Sequence, residues 1–184
     1  MDKAPDPSYA GMVRGGPTES EEGTLVTGVG EGRRLEPPTF QDILHARAVV
    51  RRYLAPTPLV HSPLLSERLG CEIYLKCEQL QPIGAFKVRG GIFLMSKLSP
   101  EERARGVVTA STGNHGQSIA YAARLFGVRV IIYAPEGANP LKVAAMRRLG
   151  AEVVLSGRDF DEARLACEAR AAAEGFRYIH SANE

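Results

Sequence analysis

The sequence predicts an α/β fold: an open parallel sheet with helices on both faces. Two observations predict it. From Gly106 onward, short β-prone apolar runs recur about every 22 to 25 residues, long enough for a crossover helix between parallel strands. Gly127, Gly150 and Gly175 each stand where a helix must stop before the next strand, a place that favours a residue tolerant of positive φ.

Taken in order, residues 1–38 hold Pro5, Pro7, Pro17, Pro37 and Pro38 among many Gly, Glu and Ser. They have too few large apolar residues to offset the entropy of ordering, so a disordered extension is expected. Asp2, Asp6, Glu19, Glu21 and Glu22 argue against a transit peptide. A helix is expected after Pro38, with Thr39 as cap and Asp42 three residues on. Ile43, Ala46, Val50 and Tyr53 continue it at helical spacing to just before Pro56. Ala55 to Leu59 is extended or turning, because a residue before proline is pushed out of the helical region. Ser62 and Pro63 open a short helix that closes at Gly70, and Ile73-Tyr74-Leu75 reads as a strand. A helix whose first turn begins near Phe86 runs to residue 98, with Phe86, Ile92, Phe93 and Met95 on its inward side. Then follow strand 107–109, helix 114–126, strand 128–133, helix 140–149, strand 152–155, helix 160–174 and strand 177–180. The expected division is an extension over 1–38, part of one domain over 39–105 and a small α/β domain over 106–184.

With 184 residues, 44% hydrophobic and 24% charged, the chain has the apolar mass for one ordinary core and part of a second. Its net charge of +2 comes from interspersed residues without a basic run, so nucleic-acid binding is not expected. No apolar run approaches the roughly 20 residues that span a bilayer, and no signal peptide is visible, so a cytoplasmic protein away from membranes is expected. Cys71, Cys77 and Cys167 form no C-x-x-C pair, and His45, His61, His115 and His180 are scattered. Neither a disulfide framework nor a metal site is expected.

Two stretches carry chemistry. The run from Gly84 to Gly91 puts Lys87 at the mouth of a helix, where free amides and the positive end of the dipole disfavour an ammonium. A desolvated, neutral lysine attacks carbonyls to form Schiff bases. Taken alone, the residue reads more plainly as a solvated lysine. The run from Ala110 to Gly116 leaves a strand and opens a helix, the end of a parallel sheet where ligands bind. Its amides and the Ser111 and Thr112 hydroxyls suit a carboxylate, with Gly113 allowing close approach. Ser, Thr and Asn also cap helices, and the spacing leaves both readings open.

Lys76-Cys77-Glu78-Gln79-Leu80-Gln81-Pro82 leads into Gly84-Ala85-Phe86-Lys87, and Ser111-Thr112-Gly113-Asn114-His115-Gly116-Gln117 follows downstream. This pair resembles the fold-type II pyridoxal-phosphate enzymes, which share the tryptophan synthase β-like fold, in the serine/threonine dehydratase and serine racemase branch. There a K-x-E-x-x-Q run precedes S-F-K-x-R-G, and an S-x-G-N-H-[AG]-Q loop follows. The resemblance covers about residues 53–184 and includes A-P-T-P-L at 55–59.

The resemblance implies pyridoxal 5′-phosphate as cofactor and a small amino acid as substrate. It makes Lys87 the cofactor's covalent anchor and proton-transfer group, and gives Asn114 the ring's 3′ oxygen. Phe86 stands beside the cofactor, or packs in the core. Ser111, Thr112, Gly113, Asn114 and His115 surround the substrate carboxylate; His115 is either a base or a local hydrogen-bonding residue.

The implied activity is deamination of L-threonine or L-serine to a 2-oxo acid and ammonia. Amino-acid racemisation is the alternative, but Thr112 stands where racemases carry a serine as second base, and the run from Gly157 to Ala163 resembles a G-x-N-F-D-E-A segment of threonine dehydratases. Ala85 and Ile83 depart from the family pattern. The family's glycine-rich phosphate loop and its Ser or Cys facing the pyridine nitrogen are not found before Glu184. The chain is therefore expected to be the N-terminal portion of such an enzyme, with 39–105 part of its large cofactor-binding domain. A non-catalytic module is the other reading, and a homo-oligomer is compatible with either.

Overall fold

Val107–Ala110 and Val130–Ala134 are the two strands in which every residue is buried, and their largely apolar character, with Thr109 as the polar exception, is what a strand covered on both faces requires. The computed structural model describes residues 37–182 and Glu184, so the expected extension lies, apart from Pro37 and Pro38, outside the described residues. Along the chain the elements are α1 (Phe40–Val50), β1 (Leu59–His61), α2 (Pro63–Leu69), β2 (Tyr74–Lys76), α3 (Val88–Lys97), α4 (Pro100–Arg105) and β3 (Val107–Ala110). They continue with α5 (Asn114–Phe126), β4 (Val130–Ala134), α6 (Pro140–Arg148), β5 (Glu152–Leu155), α7 (Phe160–Glu174) and β6 (Arg177–Tyr178).

The main sheet has four strands in the order β5-β4-β3-β6, all parallel. Its register pairs Val107 with Val130, Ile131 with Glu152 and Val108 with Tyr178. Val107, Val130 and Ile132 face α3, α5 and α6, meeting Ile92, Met95, Ile119 and Met146. Val108, Ala110, Ile131 and Tyr133 face the other way, onto Ala163, Cys167 and Ala171 of α7. Helices therefore cover both faces, as expected. Gly127 and Gly175 end α5 and α7 in the left-handed conformation, at φ 67° and 71°.

Several boundaries differ from expectation. The capping box of Thr39 and Asp42 starts α1, but the helix stops at Val50 rather than near Tyr53. Arg52 and Tyr53 donate three residues back, to Val49 and Val50, and this tighter turn delivers Leu54 into the core. The strand expected at 73–75 is β2, one residue later, and it pairs antiparallel with β1, with Val60 opposite Leu75. β4 begins at Val130 instead of 128, and β6 ends at Tyr178 instead of 180. α4 was not expected; Ser99 and Glu102 form its capping box and Pro100 is its first residue. The described residues belong to one compact unit. Across the boundary expected near 105, α3 packs directly on α5.

Candidate functional site

Lys87 is the N-cap of α3 rather than a residue of its first turn, because its carbonyl accepts the first helical bond, from Gly91 N at 3.3 Å. The same carbonyl accepts from Ser118 Oγ of α5 at 2.6 Å. The half-buried side chain sends Nζ to Ser181 O at 3.4 Å, joining positions 94 residues apart. α3 and α5 approach closely here. A Cβ on Gly91 would lie 2.7 Å from Ser118 O, so only glycine fits.

On its other side the lysine turn is braced by Glu78. This carboxylate accepts from Arg89 Nε at 2.8 Å and Nη2 at 2.7 Å, from Thr57 Oγ1 at 2.6 Å and from Gln81 Nε2 at 3.4 Å. The Arg89 hydrogen bonds are the main reason its carboxyl is held down to about 2. Lys76 Nζ donates to Thr57 O at 2.6 Å. The K-x-E-x-x-Q run thus clamps the C-terminal flank of Lys87 through Arg89. Sequence reasoning gave Glu78 and Arg89 no role; the available signal was their opposite charge within adjoining motifs.

In the loop before α5, Ser111 is only 4% exposed, and its Oγ accepts from Gly113 N at 3.2 Å and Gly116 N at 2.8 Å. It shapes the loop from within. Gly113 is the N-cap and contributes no side chain, so the helix start is not closed by a capping hydroxyl or carboxamide. Among the described residues the amides of Thr112, Asn114 and His115 have no acceptor. Asn114 is exposed, and its Oδ1 accepts from Lys142 Nζ at 3.0 Å, which leaves its N–H groups to donate.

His115 is half-buried, with Nε2 3.0 Å from Thr109 Oγ1. Burial, and then the nearby Lys87 and His180 charges, push its imidazole down to about 4. Lys87 and His115 share the wall of one cleft of about 490 Å³ with Ser118, Ile119, His180 and Ser181. Ser111, Thr112, Gly113 and Asn114 do not line that cleft, and neither does Phe86. Phe86 is 61% exposed, which corrects the expectation that it could pack in the core: it precedes α3, where no neighbouring element covers it. Among the described residues no group of three or more His, Cys, Asp or Glu is placed to hold a metal, and no helix is long and apolar enough to cross a membrane.

A half-buried lysine ahead of a glycine-pinned helix, with an open-amide loop at the end of a central parallel strand, is matched by one family model, described as pyridoxal-phosphate dependent enzyme, over residues 50–184. The chain belongs to that family. An L-threonine ammonia-lyase of Geobacter sulfurreducens is 47% identical over 131 residues, covering 71% of this chain and 33% of that relative. The processed form of threonine deaminase isoform 2 from Solanum lycopersicum superposes with a TM-score of 0.71 at 38% identity, over 76% of this chain and 39% of that one. Serine racemase from Dictyostelium discoideum gives 0.71 at 33% identity, over 77% and 46%. The chain thus spans about a third of the curated relative's length.

Proposed function

We propose that this chain is the lysine-bearing part of a pyridoxal-phosphate-dependent ammonia-lyase that converts L-threonine or L-serine to a 2-oxo acid and ammonia. The observation that carries the reading is the cleft that Lys87 shares with His115, a residue of the first turn of α5, where the amides are open. The donor set fits the cofactor at one end: the Lys87 amine for the aldehyde carbon, the Asn114 N–H groups for the 3′ oxygen, and exposed Phe86 for a ring face. The cleft volume of about 490 Å³ lies within the usual range for small-molecule sites.

When bound, the cofactor supplies an electron sink for negative charge at the substrate α carbon. The remaining work falls to the chain. The amides of Thr112, Asn114 and His115, at the positive end of α5, receive the substrate carboxylate. Ser111 keeps them converged by holding Gly113 and Gly116. Lys87, whose backbone carbonyl is held by Ser118 and whose turn is braced by the Glu78–Arg89 pair, takes the α proton on Nζ. In the full-length enzyme Lys87→Ala should lower 2-oxobutyrate formation from L-threonine by about 10²- to 10⁴-fold. Formation at the wild-type rate would refute the assignment.

Amino-acid racemisation is the second reading, favoured by the likeness to serine racemase. Thr112, exposed at the loop, stands where that branch carries a serine as second base, and its extra methyl fits that role less well. Production of D-serine from L-serine by the full-length protein, measured beside pyruvate, separates the two. A cytoplasmic site of action and a homo-oligomeric state belong to the same proposal. The three cysteines, all free, and the apolar surface between Phe40 and Phe86 support them.

A further inference from the structure

Thr109 is a polar residue with no exposure at all, in the middle of β3. Its hydroxyl lies 2.8 Å from Ile179 O and 3.0 Å from His115 Nε2. A hydroxyl has one proton to give, and a carbonyl oxygen only accepts. If the proton goes to Ile179 O, every partner is satisfied when His115 Nε2 carries a hydrogen and donates it to Oγ1. In the reverse arrangement Oγ1 would point its proton at the ring and set its lone pairs against the Ile179 carbonyl.

We propose that Thr109 is a positioning residue that locks His115 in its Nε2–H tautomer, so that the ring offers a lone pair on Nδ1, not an N–H, as its remaining hydrogen-bonding group. Nδ1 has no partner among the described residues. The burial and neighbouring charges that keep the ring neutral act in the same direction. A neutral ring with a free lone pair is a poor partner for a carboxylate. Its complement is a donor in the cleft it shares with Lys87: an ammonium or hydroxyl of the ligand. His115 then serves the carboxylate through its backbone amide alone, while its ring selects ligands that carry a donor. This last step rests on the cleft being the substrate site; the tautomer does not.

Long-range ¹H–¹⁵N correlation of the four histidines at neutral pH reads the tautomer directly, with His115 assigned by the signals that His115→Gln removes. The expected result is an Nε2–H pattern in the wild-type chain and in Thr109→Ser, which keeps the hydroxyl, and a mixed or Nδ1–H pattern in Thr109→Val. An Nδ1–H or imidazolium pattern in the wild type overturns the proposal, as does an unchanged pattern in folded Thr109→Val. Should that variant fail to fold, loss of the Nε2–H pattern in Thr109→Ser overturns it and retention supports it. Adding L-threonine should move the Nδ1 signal while propionate, a carboxylate without a donor, should not. A response to propionate, or to neither, refutes the selection of donors and leaves the tautomer standing. Because no turnover is measured, failure here is distinct from loss of activity in Lys87→Ala.

Discussion

Residues 107–179 bury most of their large apolar side chains, whereas residues 40–86 leave most of theirs exposed. In the first region Val108, Ile131, Ile132 and Met146 have no exposed surface; in the second Leu64 is 77%, Leu59 63% and Leu69 62% exposed. The difference lies in layering rather than composition. Parallel strands connected by helices are covered on both faces by their own connections. The pair β1–β2 has only two strands, every residue of both is exposed, and such a pair is marginal by itself. Stability therefore resides in the sheet half. Lys87 stands at the joint, its carbonyl held by Ser118 from one region and its neighbour Arg89 held by Glu78 from the other.

The strongest test of this contrast is Ile131→Ala. With no exposure and packing on both β3 and α7, it should cost about 2–5 kcal/mol in urea unfolding. Gly91→Ala comes next, at about 1–3 kcal/mol, since the new methyl meets Ser118 backbone that cannot withdraw; adding Ser118→Ala should recover only part of that. Glu78→Gln should cost about 1–2 kcal/mol, discounted for the partial exposure of Arg89. Because the Glu78 carboxyl is depressed in the folded state, its contribution is complete above about 4.5 and fades as pH falls towards about 2. The acid limb of a stability–pH curve should accordingly flatten in Glu78→Gln.

His115 acts in the same direction over a higher pH window. It is neutral when folded and titrates near 4, so it contributes no penalty above its ordinary value near 6.5 and an increasing one as pH falls from there to about 4. An NMR titration should place its midpoint near 4, and Lys87→Ala should move that midpoint upward by removing a nearby positive charge. The smallest effect belongs to Leu64→Ser, within about 0.5 kcal/mol of wild type in the same urea experiment. A loss as large as that of Ile131→Ala would show that the exposed region is packed against something in solution.

What was legible in the sequence follows the same divide. The sheet half was readable because β3 and β4 are apolar apart from Thr109 and the Tyr133 hydroxyl, and Gly127 and Gly175 end their helices, so period and punctuation agree. β1 was missed because three residues after a proline run have no period to detect. α4 is only six residues long, yet its Ser99-Pro100-Glu101-Glu102 start was there to be read. At the candidate site the motif marked Lys87 and the 111–115 loop, but it did not divide labour within the loop. Ser111 turns inward while Thr112 and Asn114 stay exposed, a distinction that depends on the path of the chain. Thr109 left no local trace, since its partner Ile179 is 70 residues away.

The contact between Gly91 and Ser118 also bears on how such a protein changes over generations. A side chain at 91 needs more room than a smaller residue at 118 provides, because part of the obstruction is the backbone of α5 itself. Drift at 91 is therefore conditional on a shift of an entire helix. Since Ser118 Oγ also holds the Lys87 carbonyl, a lineage that relieved the contact by moving α5 would displace the anchor of its lysine in the same step. The two positions are tied as a single heritable character, with glycine at 91 as its immovable member.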